Sequence, residues 1–173
     1  MLRTYLQAQK LDERVLSVSV PFSVPLIDAS GEMLEKPLIG EFDLTMEVGG
    51  VYTIVDWKTS AKRWPATKPR TDLQPTCYLW AHHHATGDLN AQFRFDVVTK
   101  TKTPVCEKLY TRRSTDDFKR LGELVRVLEN IVANECFYPA DSSWECSNCP
   151  YSLACQSWHR ERARPHVHFE LAA

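Results

Sequence analysis

A chain of 173 residues, 43% hydrophobic and 25% charged, can bury one core with at most a small appendage, as an ordinary globular domain does. Its net charge of −1 excludes a broad electrostatic pull on nucleic acid, and no apolar run is long enough to span a bilayer. The opening residues 1–7 lack a signal peptide's apolar stretch, so the expected location is cytoplasmic, where six cysteines point to metal rather than disulfides.

Residues 15–26, rich in Val, Phe and Ser, read as a strand interrupted by Pro21 and Pro25, and a polar loop with Gly31 and Pro37 follows over 27–37. Two alternating segments, 41–48 and 51–58, flank Gly49-Gly50, which is a good hairpin signal. From Lys58 to Arg70 there are five Lys or Arg and no acid, in a loop punctuated by Pro65 and Pro69. Asp72 can cap a helix running to about His84 and ended by Gly87, with Pro75 tolerated in its first turn. Segments 91–99 and 105–111 read as two further strands.

Ser114-Thr115-Asp116-Asp117 opens a long helix to about Asn134. Its Phe118, Leu121, Val125, Leu128 and Val132 recur at helical spacing and read as a core stripe. An irregular tail follows, bearing cysteines and the basic residues Arg160, Arg162 and Arg164. Read alone, each basic run is as readily a solvated face as a nucleic-acid contact, and it supports DNA binding only once another feature suggests it. The element order predicts an α/β domain with a mixed central β-sheet flanked by helices.

The hairpin carries the strongest inference. With Gly49-Gly50 as the turn, Val48 faces Val51, Met46 faces Thr53, Leu44 faces Val55 and Phe42 faces Trp57 on one mostly apolar side. On the other side Asp43 lies opposite Asp56, and Glu41 opposite Lys58. Facing carboxylates have Cβ atoms roughly 4.5–5.5 Å apart and repel, an arrangement most easily kept with a cation between them. Hard oxygen ligands suit Mg²⁺ or Mn²⁺. A solvated hairpin face is the competing reading. On the following helix Gln74 and Tyr78 stand four apart and share a face.

Together Gly40-Glu41-Phe42-Asp43, Val55-Asp56-Trp57-Lys58-Thr59 and Gln74-Pro75-Thr76-Cys77-Tyr78 match G-x-x-D, D-x-K and Q-x-x-x-Y elements. In order and spacing, over about residues 15–100, they resemble the RecB-like and λ-exonuclease-like branch of the PD-(D/E)XK nucleases. The resemblance implies a restriction-endonuclease-like fold and phosphodiester hydrolysis of DNA, with exonuclease action in repair, recombination or phage DNA processing as the family expectation. It implies that Asp43, Asp56 and the Trp57 carbonyl ligate the metal, and that Lys58 positions or activates the attacking water. Gln74 and Tyr78 would order the site and the strand, and a helicase or other DNA-processing protein is an expected partner.

In the tail, Cys146-x2-Cys149-x5-Cys155 is a compact thiolate set that lacks a fourth ligand, for which Cys136 and His159 are the candidates along the chain. The spacing resembles the C-terminal motif of iron–sulfur nucleases of the superfamily, including AddB-like and CRISPR-adaptation nucleases, which implies a 4Fe-4S cluster, with Zn²⁺ as the alternative. Their fourth cysteine ordinarily lies far upstream, and no cysteine here precedes Cys77. Either Cys136 substitutes, or the chain is a fragment that begins after the usual N-terminal helices, or the cluster is absent or replaced by zinc. The expected organisation is a nuclease core over 1–135 and a Cys-rich tail over 136–173 packed on it.

His82-His83-His84 read as solvent-exposed at a helix end, because consecutive helical residues point in different directions. Cys77 reads as a helix-core residue and Cys106 as a strand residue. Two other classes compete with the nuclease: a non-catalytic DNA-binding or assembly module with the same fold, and an unrelated zinc protein.

Overall fold

Gly49 and Gly50 adopt φ of 56° and 77°, the left-handed backbone that a two-residue primed turn requires. They join β2 (Leu38–Val48) to β3 (Val51–Ser60), and the ladder pairs Val48 with Val51 through Leu44 with Val55, in the register the alternation predicts. This structure, a computed structural model, describes residues 1–10, 12–137, 140 and 143–162. The chain divides into two units, residues 1–128 and residues 129–173.

In the first unit, α1 (Leu2–Gln7) and β1 (Glu13–Val24) precede the hairpin; α2 (Lys68–Thr71), α3 (Gln74–Thr86), β4 (Gln92–Thr99) and β5 (Cys106–Thr111) follow it. The helix α4 (Thr115–Ala133) comes next. The five strands form one mixed sheet in the order β1-β2-β3-β4-β5, antiparallel except for the parallel pair β3 and β4. A parallel neighbour needs a crossover, which α3 supplies. The expected helix-flanked α/β sheet is present. Pro21 does not interrupt β1, because β1 is an edge strand on which a missing N–H can be tolerated. The helix α1 went unread in the sequence.

Apolar alternation puts Ile54, Phe93, Phe95 and Val97 on the face that α3 covers, in one core with Phe42, Val24, Leu79 and Phe118. Leu44, Met46 and Val55 form a separate cluster. Phe42 therefore does not share a face with Leu44 and Met46, contrary to strict alternation. The cause lies at Ser19, which has φ 50° and sits between the pairs Val18–Leu44 and Val20–Phe42. A left-handed residue breaks the pleat, so the strands exchange faces at Ser19 and Asp43: Val20 joins the α3-side core while Val18 lines a cavity with Leu44 and Met46.

Ser114 and Asp117 cap α4 reciprocally, the Ser114 amide donating to Asp117 at 2.8 Å. The predicted stripe is core only at its start. Phe118 and Leu121 are buried, whereas Leu128 and Val132 are 57% and 51% exposed. Leu26 and Leu34 cover the helix around Leu121, and at Gly122 the backbone of Ile27 comes so close that a Cβ would lie 2.2 Å from its carbonyl oxygen.

The second unit is more regular than its sequence suggests. A 3₁₀ turn, Trp144–Asn148, is capped by the Ser143 hydroxyl, and α5 spans Ser152–Arg162. Phe137 and Trp158 pack there with ring centroids 5.5 Å apart. Arg164 lies outside the described residues, as does the side chain of Arg162. Among the described residues no helix is long and apolar enough to cross a membrane.

Candidate active site

The β2–β3 ladder stops at Leu44–Val55, one residue short of the two candidate carboxylates. Beyond it β2 runs on beside β1, with Glu41 against Pro21, and β3 runs on beside β4, with Asp56 against Phe95 and Lys58 against Val97. Asp43 and Asp56 thus line a fork, and neither they nor Glu41 and Lys58 form the cross-strand pairs expected from the register. Like charges directly opposite disfavour a closed ladder, and each strand follows its outer partner instead. Asp43 fills the gap by accepting the Trp57 backbone N–H on Oδ2 at 3.0 Å. Because a strand residue's N–H and C=O leave on the same side, the Trp57 carbonyl also faces the fork.

Asp56 is 2% exposed. Its Oδ1 accepts the Gln74 amide nitrogen at 2.5 Å, and its Oδ2 is in ion-pair contact with the Lys58 ammonium. Burial pushes the Asp56 carboxyl above the ordinary range; Lys58 opposes the rise and the charge of Asp43 adds to it. Lys58 also stands over the Phe95 ring, 5.9 Å from its centroid.

Gln74 opens α3. The N-cap position falls on Leu73 rather than on the expected Asp72, which from one residue earlier accepts the Gln74 backbone N–H on Oδ1 at 3.1 Å while Oδ2 takes Lys68 at 2.5 Å. Pro75 sits in the first turn, and Gly87 closes the helix with φ 76°. One turn along, Tyr78 stands beside Gln74 and packs on Phe42, Phe22 and Phe93 at centroid distances of 5.3, 5.7 and 5.8 Å. Burial raises its phenol pKa, and the Gln74 contact opposes the rise. Asp56, Lys58, Gln74 and Tyr78 thus form one connected set, with Asp43 across the fork.

The donors suit a hard divalent cation. The fork offers two carboxylates and a backbone carbonyl against the single ammonium of Lys58. Mg²⁺ commonly takes one or two carboxylates and fills its other positions with water and phosphate oxygens. Accordingly, among the described residues no three His, Cys, Asp or Glu side chains gather as a complete metal cage.

That observation also covers the tail. Cys146 and Cys149 are half-buried and Cys136 and Cys155 exposed, all as free thiols, and no metal-holding group of three is formed with them or with His159. Cys146 donates to the Ala140 carbonyl at 3.1 Å and Cys136 to that of Asn134 at 3.5 Å. Among the described residues these thiols are not gathered into an iron–sulfur or zinc site.

The histidine run needs correction. His82 is buried, stacks on Tyr52 at 4.0 Å and stands 3.4 Å from Asp88; His83 is half-buried against Phe118, and only His84 is exposed. Their differing directions on α3 are as predicted, but one of them points into the sheet. Sequence reading also missed Tyr5, whose hydroxyl accepts the Trp57 indole N–H at 2.8 Å, and Arg113, which grips both ends of the α2–α3 connection. Neither carries a spacing signal.

Residues 1–156 match the family model of the PD-(D/E)XK nuclease superfamily. The chain belongs to that superfamily. No curated protein matches it. Among solved structures, that of SSO0001 shares the fold with a TM-score of 0.52 at 16% identity, covering 90% of this chain and 66% of the other. A Eubacterium rectale protein named as a candidate exonuclease gives a TM-score of 0.43 at 15% identity, covering 71% of this chain and 47% of the other. The chain therefore spans just under two thirds of the first protein and about half of the second.

Proposed function

We propose that this PD-(D/E)XK chain is a divalent-metal-dependent deoxyribonuclease that hydrolyses phosphodiester bonds at the β2–β3 fork. The supporting observation is the excess of acidic charge there. Asp43 and Asp56 meet a single ammonium, and the buried Asp56 is oriented by Gln74. A bound Mg²⁺ or Mn²⁺ would supply a Lewis acid for the scissile phosphate and a water of lowered pKa. Asp43, Asp56 and the Trp57 carbonyl are the residues that would hold it. Lys58 stands against Asp56, where its ammonium can orient the nucleophile and offset negative charge on the phosphate. Gln74 fixes the carboxylate plane of Asp56, and Tyr78 braces Gln74 from the aromatic core.

Exonuclease action, the RecB-like branch, a helicase-type partner and a metal in the tail rest on sequence resemblance; for the tail, the support is the Cys146, Cys149, Cys155 spacing alone. The test is cleavage of end-labelled single- and double-stranded DNA by anaerobically purified protein with Mg²⁺, Mn²⁺ or EDTA. Metal-dependent cleavage by the natural chain and none by Asp56→Ala supports the reading. Cleavage that survives the substitution removes Asp56 from the site, and cleavage that survives EDTA removes the metal dependence. A folded natural chain that binds DNA without cutting it favours the binding-module reading.

A further inference from the structure

The Arg113 side chain, on the short segment between β5 and α4, makes an unusually complete set of contacts. Nε donates to Thr76 Oγ1 at 2.7 Å; Nη1 donates to Thr111 Oγ1 at 2.6 Å and to the Arg112 carbonyl at 2.9 Å. Nη2 donates to the carbonyls of Pro69 at 2.8 Å and Asp72 at 3.0 Å. A guanidinium has five N–H donors in a rigid fork, and here all five are used on neutral acceptors.

Pro69 lies in α2, Asp72 in the connection, and Thr76 in the first turn of α3. Arg113 therefore brackets Gln74, gripping the chain two residues before it and two residues after it. Asp72 completes the bracket by accepting the Gln74 backbone N–H. The one side chain that this bracketed turn sends to the fork is Gln74, on Asp56 Oδ1.

Resting on the nuclease reading above, we propose that Arg113 is a positioning residue for phosphodiester hydrolysis. It fixes the first turn of α3 so that Gln74 holds Asp56 Oδ1 and leaves Oδ2 turned to Lys58 and the cation. Its own guanidinium touches neither carboxylate. A lysine here would keep the charge but has three donors on one flexible nitrogen, so it cannot span Pro69, Asp72 and Thr76 together.

The test is a double-mutant cycle with Arg113→Lys and Gln74→Ala, read by kcat, by KM for DNA, and by the Kd for Mn²⁺ from calorimetry in the absence of DNA. Arg113→Lys is expected to lower kcat about tenfold and raise the Kd for Mn²⁺ several-fold with KM for DNA unchanged, as loss of an outer support does at metal sites. On a Gln74→Ala background the same change should cost less than about twofold, because its route to Asp56 is already cut. Should Arg113→Lys melt below the assay temperature, Thr76→Val, which removes one acceptor, should show the same pattern more weakly. Equal losses on both backgrounds, or a change confined to KM, overturn the inference while the nuclease reading stands. A natural chain that neither binds Mn²⁺ nor cleaves overturns that reading and the inference with it.

Discussion

Asp56 on β3 and Asp96 on β4 are near neighbours, since Asp96 pairs with Trp57, and the two are 2% and 1% exposed. Burial raises the pKa of both. Their surroundings differ. Asp96 belongs to a closed network in which Arg94, 0% exposed, meets Asp96 at 2.7 Å and Glu13 at 2.9 Å, while Lys108 meets Glu13 at 2.7 Å. Two carboxylates there face two cations, and the network ties β1, β4 and β5 across one side of the sheet. At the fork two carboxylates face one. Burial and a raised pKa do not by themselves mark a functional carboxylate; a missing counter-charge distinguishes Asp56 from Asp96.

The comparison breaks most sharply under substitution. Asp56→Ala should cost roughly a thousandfold or more in cleavage, as loss of a central catalytic group does, while leaving the melting temperature at neutral pH equal or higher. A variant that unfolds along with losing activity would make Asp56 structural. Arg94→Met should do the reverse. It strands Asp96 and Glu13 in the interior and should lower unfolding free energy by about 3–5 kcal/mol in urea titrations, with cleavage per folded molecule kept. An unchanged midpoint would show that the Arg94 network holds nothing.

pH separates the two sites further. A carboxyl whose folded pKa is raised stabilises the fold while protonated, and that contribution is lost as pH rises from its unfolded value through its folded one. Both Asp56 and Asp96 should give this sign, stability falling across the upper carboxylate range. Saturating Mn²⁺ should flatten the part due to Asp56 and leave the part due to Asp96. Melting curves from pH 4 upward on the natural chain and on Asp56→Asn, with and without Mn²⁺, measure it; a slope that Mn²⁺ leaves untouched in the natural chain contradicts the assignment. The smallest effect expected is at Ser19, whose left-handed backbone beside the fork costs about 1–2 kcal/mol in a residue with a Cβ. Ser19→Gly should stabilise by up to that amount, and a loss of stability would mean that the serine side chain is needed there.

The hairpin was legible because Gly49-Gly50 and strict alternation fix its register, and the fork was not, because it arises from what β1 and β4 do to the hairpin's open end. Asp56 and Lys58 could be named from the hairpin alternation, since D-x-K puts two residues on one strand face, whereas Gln74 could be named only through the Q-x-x-x-Y resemblance, being unremarkable by itself. Arg113 and Tyr5 could not, because the partners that tie them to the site's elements lie 37 to 44 and 52 residues away in sequence and no periodicity links them. The face change at Ser19 was hidden too, as nothing in the string Val18-Ser19-Val20 signals a left-handed residue. His82 misled for a related reason: a run of three histidines looks polar, yet one position of α3 faces Tyr52.

The uncompensated charge at the fork is tested most directly by a calorimetric Mn²⁺ titration of the natural chain beside Asp56→Asn at neutral pH. The natural chain should bind, and Asp56→Asn should bind at least about tenfold more weakly. Identical isotherms for the two would contradict the account, because the cation would then be held by something other than this carboxylate.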